Sequence, residues 1–174
     1  MDLKYLIDQL EAELIAQTRQ QQLADAAELA EGETARITLM QRLCAALGKE
    51  ITIYRPGGQP QQVLLEEAGN GWILVKNGVE AELINLKNCP VIGGLKDARI
   101  QVLEVQKRSQ INQIMRRIAR GRLRVLVTLA NGTFQTGYLV GVYADHFDVL
   151  NEQNRHQQLS VASDGLFSLK TLGA

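Results

Sequence analysis

Apolar residues recur at helical spacing from the start of the chain. Leu3, Leu6, Ile7, Leu10 and Leu14 share one face, with acids and glutamines on the other. That recurrence predicts an amphipathic helix, and Asp2 is a residue type that caps a helix N-terminus. The stripe thins over residues 17–22 and resumes at Leu23, Ala26, Ala27 and Ala30. Gly32 is expected to kink or break the helix, since glycine costs about 1 kcal/mol relative to alanine there. A second helical pattern puts Ile37, Met40, Leu43, Cys44 and Leu47 on one side, with Gly48 as its C-terminal stop.

From Lys49 the period changes to two. Ile51 and Ile53 alternate with Glu50 and Thr52, and Pro56-Gly57-Gly58 makes a turn. Strands are predicted over 62–65 and 72–75, separated by Gly69-Asn70-Gly71. Asn77-Gly78 is a tight-hairpin signal. A fourth strand covers about 80–86 and a short fifth surrounds Val91-Ile92. Gly93-Gly94 marks a boundary, and residues 98–106 alternate too weakly to define an element. Ser109 is placed as the cap of a helix whose apolar side is Ile111, Ile114, Met115 and Ile118, stopped by Gly121. The strand pattern then restarts, with Leu123, Val125 and Val127 alternating, a hairpin at Asn131-Gly132, and strands over 135–142, 147–150, 157–162 and 166–169. Short strands with close turn signals suggest a barrel or sandwich.

Sliding the chain by 74 residues registers its two halves without a gap from Met40 to Asn77. Ile51 falls on Val125, Gly58 on Gly132, Leu65 on Leu139, Ile73 on Phe147 and Asn77 on Asn151. After that the second copy is two residues longer, and Leu83 meets Leu159. Matched helix stops, turns and strand phase are the signature of a duplication. The predicted fold is therefore α+β and mostly β. It has an acidic N-terminal helix over 1–32, a first unit over 33–95, a linker over 96–108 and a second unit over 109–174. Each unit is a short helix followed by a five-stranded, strongly bent antiparallel sheet, a small open barrel.

Composition narrows the function. Hydrophobic content of 45% and charged content of 22% are ordinary globular values, and the formal net charge is zero. The charge is uneven, however: residues 1–34 carry eight acids against two bases, and residues 96–124 nine bases against two acids. Two cysteines, Cys44 and Cys89, fit no disulfide framework or metal spacing and read as small core residues in a reducing compartment. No apolar run approaches the roughly 20 residues of a membrane span. The start of the chain lacks a signal-peptide core, so a cytoplasmic location is expected.

In the second half, Asn131-Gly132-Thr133-Phe134-Gln135-Thr136-Gly137-Tyr138-Leu139 places a turn glycine five residues before a second glycine, with a leucine two further on. This resembles the first motif of the Sm-like family, which includes the bacterial RNA chaperone Hfq. The acidic helix ahead of two such units is also similar to the layout of certain actinobacterial proteins. The resemblance covers about residues 37–95 and 110–170. It implies five strands bent at the second glycine, a helix capping the open barrel, and pairing of strand four of one unit with strand five of the next. It also implies RNA contacts at the loops, and there this sequence departs from the family. Asp145 matches the motif aspartate, but Asp148 stands where a base-contacting asparagine belongs, and a carboxylate offers no donor. Ser163-Asp164-Gly165 stands in place of the family's cationic second motif. In the first copy Lys87-Asn88 lies at that place, and Leu74 occupies the asparagine position.

The strongest local feature is the basic run Lys107, Arg108, Arg116, Arg117, Arg120, Arg122 and Arg124. Arg116 and Arg120 lie one helical turn apart with Arg117 beside them, and arginine grips phosphate bidentately. The competing reading is a solvated face. Tyr143 and His146 sit at the loop where Sm proteins stack bases, and they read equally as ordinary loop residues. His146 and His156 are ten positions apart with no cysteine nearby, so no zinc site is expected. No serine or cysteine sits in an activating motif, and there is no phosphate-binding glycine loop. Neither a cofactor, a metal nor an enzymatic activity is expected. The sequence points instead to a non-enzymatic binding module. Its nucleic-acid contacts, to RNA or DNA, would be Arg116, Arg117, Arg120, Arg122, Arg124, Lys87, Tyr143 and His146. The alternative is a scaffold that self-associates or takes a protein partner through the Leu3, Leu6, Leu10, Leu14 stripe.

Overall fold

The computed structural model describes residues 3–154 and 157–173, which leaves the Asp2 cap and His156 outside it. Met1–Thr38 and Leu39–Ala174 are two separate units. The first is built on one helix, α1, Leu3–Thr34. Gly32 does not interrupt it: one glycine in the last turn costs too little to stop a run of alanine and glutamate. The Thr34 hydroxyl donates to the Ala30 carbonyl at 2.9 Å at the helix end. Leu10, Leu14, Leu23 and Leu29 are exposed. The side chains of Leu3, Leu6 and Ile7 lie outside the description.

The second unit is a ten-stranded antiparallel sheet with short helices. Helix α2, Leu39–Ala45, buries Leu43 and Cys44 and is followed by Gly48 at φ 75, which only a residue without a Cβ adopts freely. Strands β1 (Glu50–Tyr54), β2 (Pro60–Gly69), β3 (Trp72–Asn77), β4 (Glu80–Asn85) and β5 (Ile92–Gly93) follow. After the connecting segment come helices α3 (Glu104–Arg108) and α4 (Ile111–Arg120). Strands β6 (Arg124–Leu129), β7 (Phe134–Val142), β8 (His146–Asn151), β9 (Gln158–Ala162) and β10 (Leu166–Thr171) complete the chain. The strand order is β5-β1-β2-β3-β4-β10-β6-β7-β8-β9. The sheet is open, with β5 and β9 as its edges.

Register recurs between the two halves. Ile51 pairs with Val63 and Val125 with Gly137, each pair 74 residues from the other. The β2–β3 ladder slips between Leu65 and Glu67, and the β7–β8 ladder slips between Leu139 and Gly141, at the same offset. Such bulges bend a strand and sharpen its twist. Gly137 serves the bend directly. A Cβ there would meet the Leu150 carbonyl oxygen at 2.1 Å, so no side chain fits. The first half carries a buried Val63 at the matching position.

The halves join where β4 pairs with β10, Leu83 opposite Leu169. The two cores interlock across this seam. Phe167 of β10 is buried with Leu43, Ile53, Leu65 and Ile73, whereas Trp72 and Leu83 are buried with Met115, Val127, Phe147 and Val149. An amphipathic helix and alternating strands each bury one face; interlocking cores give β4 and β10 nearly continuous burial instead of alternation.

Several local expectations shift. The β3–β4 hairpin turns on Gly78 and Val79, because Asn77 still pairs with Glu80 and only Gly78 has positive φ. Ser109 ends α3, while Gln110 caps α4 with its N–H donating to the Gln113 side-chain oxygen at 3.1 Å. Gly121 is right-handed at φ −72, and the left-handed residue after α4 is Arg122, φ 50. The segment 96–108 contains α3 and is tied down. Arg42 donates to the Lys96 carbonyl at 3.3 Å and Gln41 to the Ile100 carbonyl at 3.2 Å.

Candidate functional site

Helix α4 is oriented by its apolar side. Met115 is fully buried, and Ile111, Ile114, Ile118 and Ala119 pack against the same core. The opposite side therefore carries Arg116, Arg117 and Arg120 into solvent, and Arg122 follows at the helix exit, also exposed. Positive side chains in the last turn complement the helix dipole. Among the described residues, none of these four guanidinium groups has a carboxylate partner.

The remaining cations of the run are occupied. Lys107 pairs with Glu104 at 2.8 Å and Arg108 with the same carboxylate at 3.7 Å. Arg124 is held by Glu152 at 2.7 Å, and that hydrogen bond raises its pKa above the ordinary arginine value. Lys87 pairs with Asp164 at 2.8 Å across the β4–β10 seam, which neutralises both groups; the pair is exposed and contributes little to stability. Asn88 fixes the same corner, donating to the carbonyls of Asp164 and Leu166 at 2.6 and 2.7 Å.

Tyr143 and His146 come together as a stacked pair, ring centroids 4.5 Å apart and 16° from parallel. The His146 ring nitrogen Nδ1 lies 2.7 Å from Asp145, whose carboxyl is held below its ordinary value chiefly by that hydrogen bond. Asn112 on α4 donates to the Tyr143 carbonyl at 3.0 Å. Asp148 is 5% exposed and accepts from Ser160 Oγ and Gln158 Nε2, each at 2.7 Å, one donor on each oxygen. The Ser160 bond leads in holding its pKa down. Trp72, the counterpart of His146, is an anchor: buried, with Nε1 donating to the Ser109 carbonyl at 2.9 Å.

Sequence reasoning missed one polar centre. Arg55 at the end of β1 grips Glu82 on β4 bidentately, at 2.8 and 2.5 Å, beside Gln61 at 2.5 Å. Glu82 is 5% exposed. Burial drives its pKa up, but the Arg55 hydrogen bonds and the charges of Arg55 and Lys170 outweigh that and leave it lowered. The available signal was a lone carboxylate between Ala81 and Leu83-Ile84, which a buried strand tolerates only with a partner.

Cys44 and Cys89 are free and buried, and burial is the leading cause of each thiol's raised pKa. Among the described residues no cluster of three His, Cys, Asp or Glu side chains is placed to hold a metal ion. No described helix is long and apolar enough to cross a membrane. No protein-family model and no curated protein matches the chain.

Proposed function

We propose that this chain is a non-catalytic nucleic-acid-binding protein of low sequence specificity, built from two Sm-like units in tandem. Its contact surface is the arginine face at the end of α4. The observation that carries the reading is the set of four exposed guanidinium groups, Arg116, Arg117, Arg120 and Arg122, which have no carboxylate partner among the described residues while the neighbouring cations are paired. Charged groups that the fold leaves uncompensated on one surface attract a polyanion, and arginine matches phosphate geometry. The tandem reading is supported by the repeated strand order, the shared 74-residue register and the bulge at the same place in both halves. The buried free thiols favour a reducing compartment, the cytoplasm.

The loops argue against base-specific capture. Asp148 spends its oxygens on Ser160 and Gln158, and Leu74 holds the matching place in the first half. A bidentate base contact is worth about 1–3 kcal/mol, so its absence predicts nearly equal affinity for different bases. Titration with oligo-uridine and oligo-adenosine at physiological salt should give similar curves. Tight binding of uridine alone would show that the loops, not α4, form the site.

A second reading, self-association, is favoured by the open edges. The β4–β10 seam already joins the fourth strand of one half to the fifth of the other, which leaves the fifth strand of the first half and the fourth of the second each with one open edge. Open edges template further strand addition. A second copy adding β9 to β5 in the register of the β4–β10 seam sets Ser160 opposite Ile92 and Leu159 opposite Gly93. Light scattering would read this as a mass that rises with concentration and falls when Ser160, whose N–H faces the open edge, is changed to proline. A constant monomer mass would exclude it.

A further inference from the structure

We propose that the groove between the end of α4 and strand β7 is a base-stacking subsite, in which a nucleobase lies on Tyr138 while its phosphate engages Arg122. This rests on the nucleic-acid reading above and adds to it a second chemical contact and a preference for single strands. The groove has a volume of about 470 Å³ and is lined by Ala119, Arg122, Tyr138, Leu139 and Val140.

Three observations single it out. Tyr138 and Val140 are 40% and 50% exposed on the outer face of β7, while Leu139 between them turns to the core, so the groove has an apolar wall and an exposed aromatic ring. Tyr143, the exposed aromatic tied to α4 through Asn112, already has a ring against it in His146. Tyr138 makes no such ring contact among the described residues. Finally, the cation in the groove sits on strained backbone. Arg122 occupies the position after the helix cap at φ 50, where glycine or asparagine ordinarily stands. A side chain held in the left-handed region at a cost in stability is the pattern of residues kept for something other than folding.

Stacking needs an exposed base face. A duplex keeps its base faces stacked on one another, and a polyphosphate chain has none, so only a single strand can use Tyr138. The full chain is titrated with a single-stranded oligonucleotide, the same sequence as a duplex, and inorganic polyphosphate. Tyr138→Ala should weaken the single strand about five- to hundredfold, as for loss of one stacked base. It should leave duplex and polyphosphate unchanged, and Tyr138→Phe should restore the single strand. Arg122→Gly should weaken all three ligands while raising the thermal midpoint, because glycine relieves the left-handed strain. If Tyr138→Ala leaves the single strand unaffected, or lowers all three ligands equally, the subsite is wrong while the arginine reading stands. If the wild-type chain binds none of the three, the arginine reading falls and the subsite with it.

Discussion

Replacing Arg55 with methionine is expected to cost about 3–5 kcal/mol of stability, the usual penalty for stripping one partner from a buried ion pair. Arg55 gives Glu82 two hydrogen bonds at a place where the carboxylate is 5% exposed, one residue from the Leu83–Leu169 pair of the seam. Without the guanidinium, Glu82 must either stay charged with Lys170 as its remaining cation or take up a proton. Removing both charges, Arg55→Met with Glu82→Leu, should recover most of the loss, since a well-packed apolar pair replaces a buried ionic one at little net cost. Urea unfolding measures all three variants. A loss below about 1 kcal/mol for Arg55→Met would mean that the pair behaves like an exposed one. The same pair sets an acid limb. Glu82 has a folded pKa below its ordinary value of 4.5, so the stabilisation it gives is present above pH 4.5 and is lost as pH falls through the folded value. Glu82→Gln should flatten that part of the stability profile.

The second large effect is on binding. Changing Arg116, Arg117, Arg120 and Arg122 together to glutamine should lower single-strand affinity by about two orders of magnitude at physiological salt. Each phosphate contact contributes roughly 0.7 to the logarithmic salt dependence for single strands, and four such contacts amount to about that much at 0.15 M. The fold should hold, because all four side chains are exposed and Met115, Ile114 and Ile118 do the packing. Changing Lys107, Arg108 and Arg124 instead should have a much smaller effect, since Glu104 and Glu152 already claim them. Equal losses from the two sets would mean that affinity follows net charge rather than the α4 face.

The strands and turns were legible because the period of two is unbroken at Ile51, Ile53, Val125 and Val127, all of which are buried. The basic patch was legible as a run, but not its division into free and occupied arginines. Glu152 reaches Arg124 from 28 positions away, and Asp164 reaches Lys87 from 77, so both partners depend on strand pairing. The Arg55–Glu82 pair was hidden for the same reason. Capping at Gln110 and the left-handed Arg122 were missed because neither is the residue type that ordinarily stands there. The seam follows no local pattern either: Phe167 and Trp72 each cross into the other half's core, which depends on where two distant strands meet.

If the α4 arginines meet phosphate, binding depends on salt through those four side chains. Affinity for a single-stranded oligonucleotide is measured from low to high salt, for the wild-type chain and for the variant with Arg116, Arg117, Arg120 and Arg122 changed to glutamine. The wild type should show a steep logarithmic slope, and the variant a slope shallower by about 2.8, from four contacts at roughly 0.7 each. Equal slopes for the two proteins would contradict it.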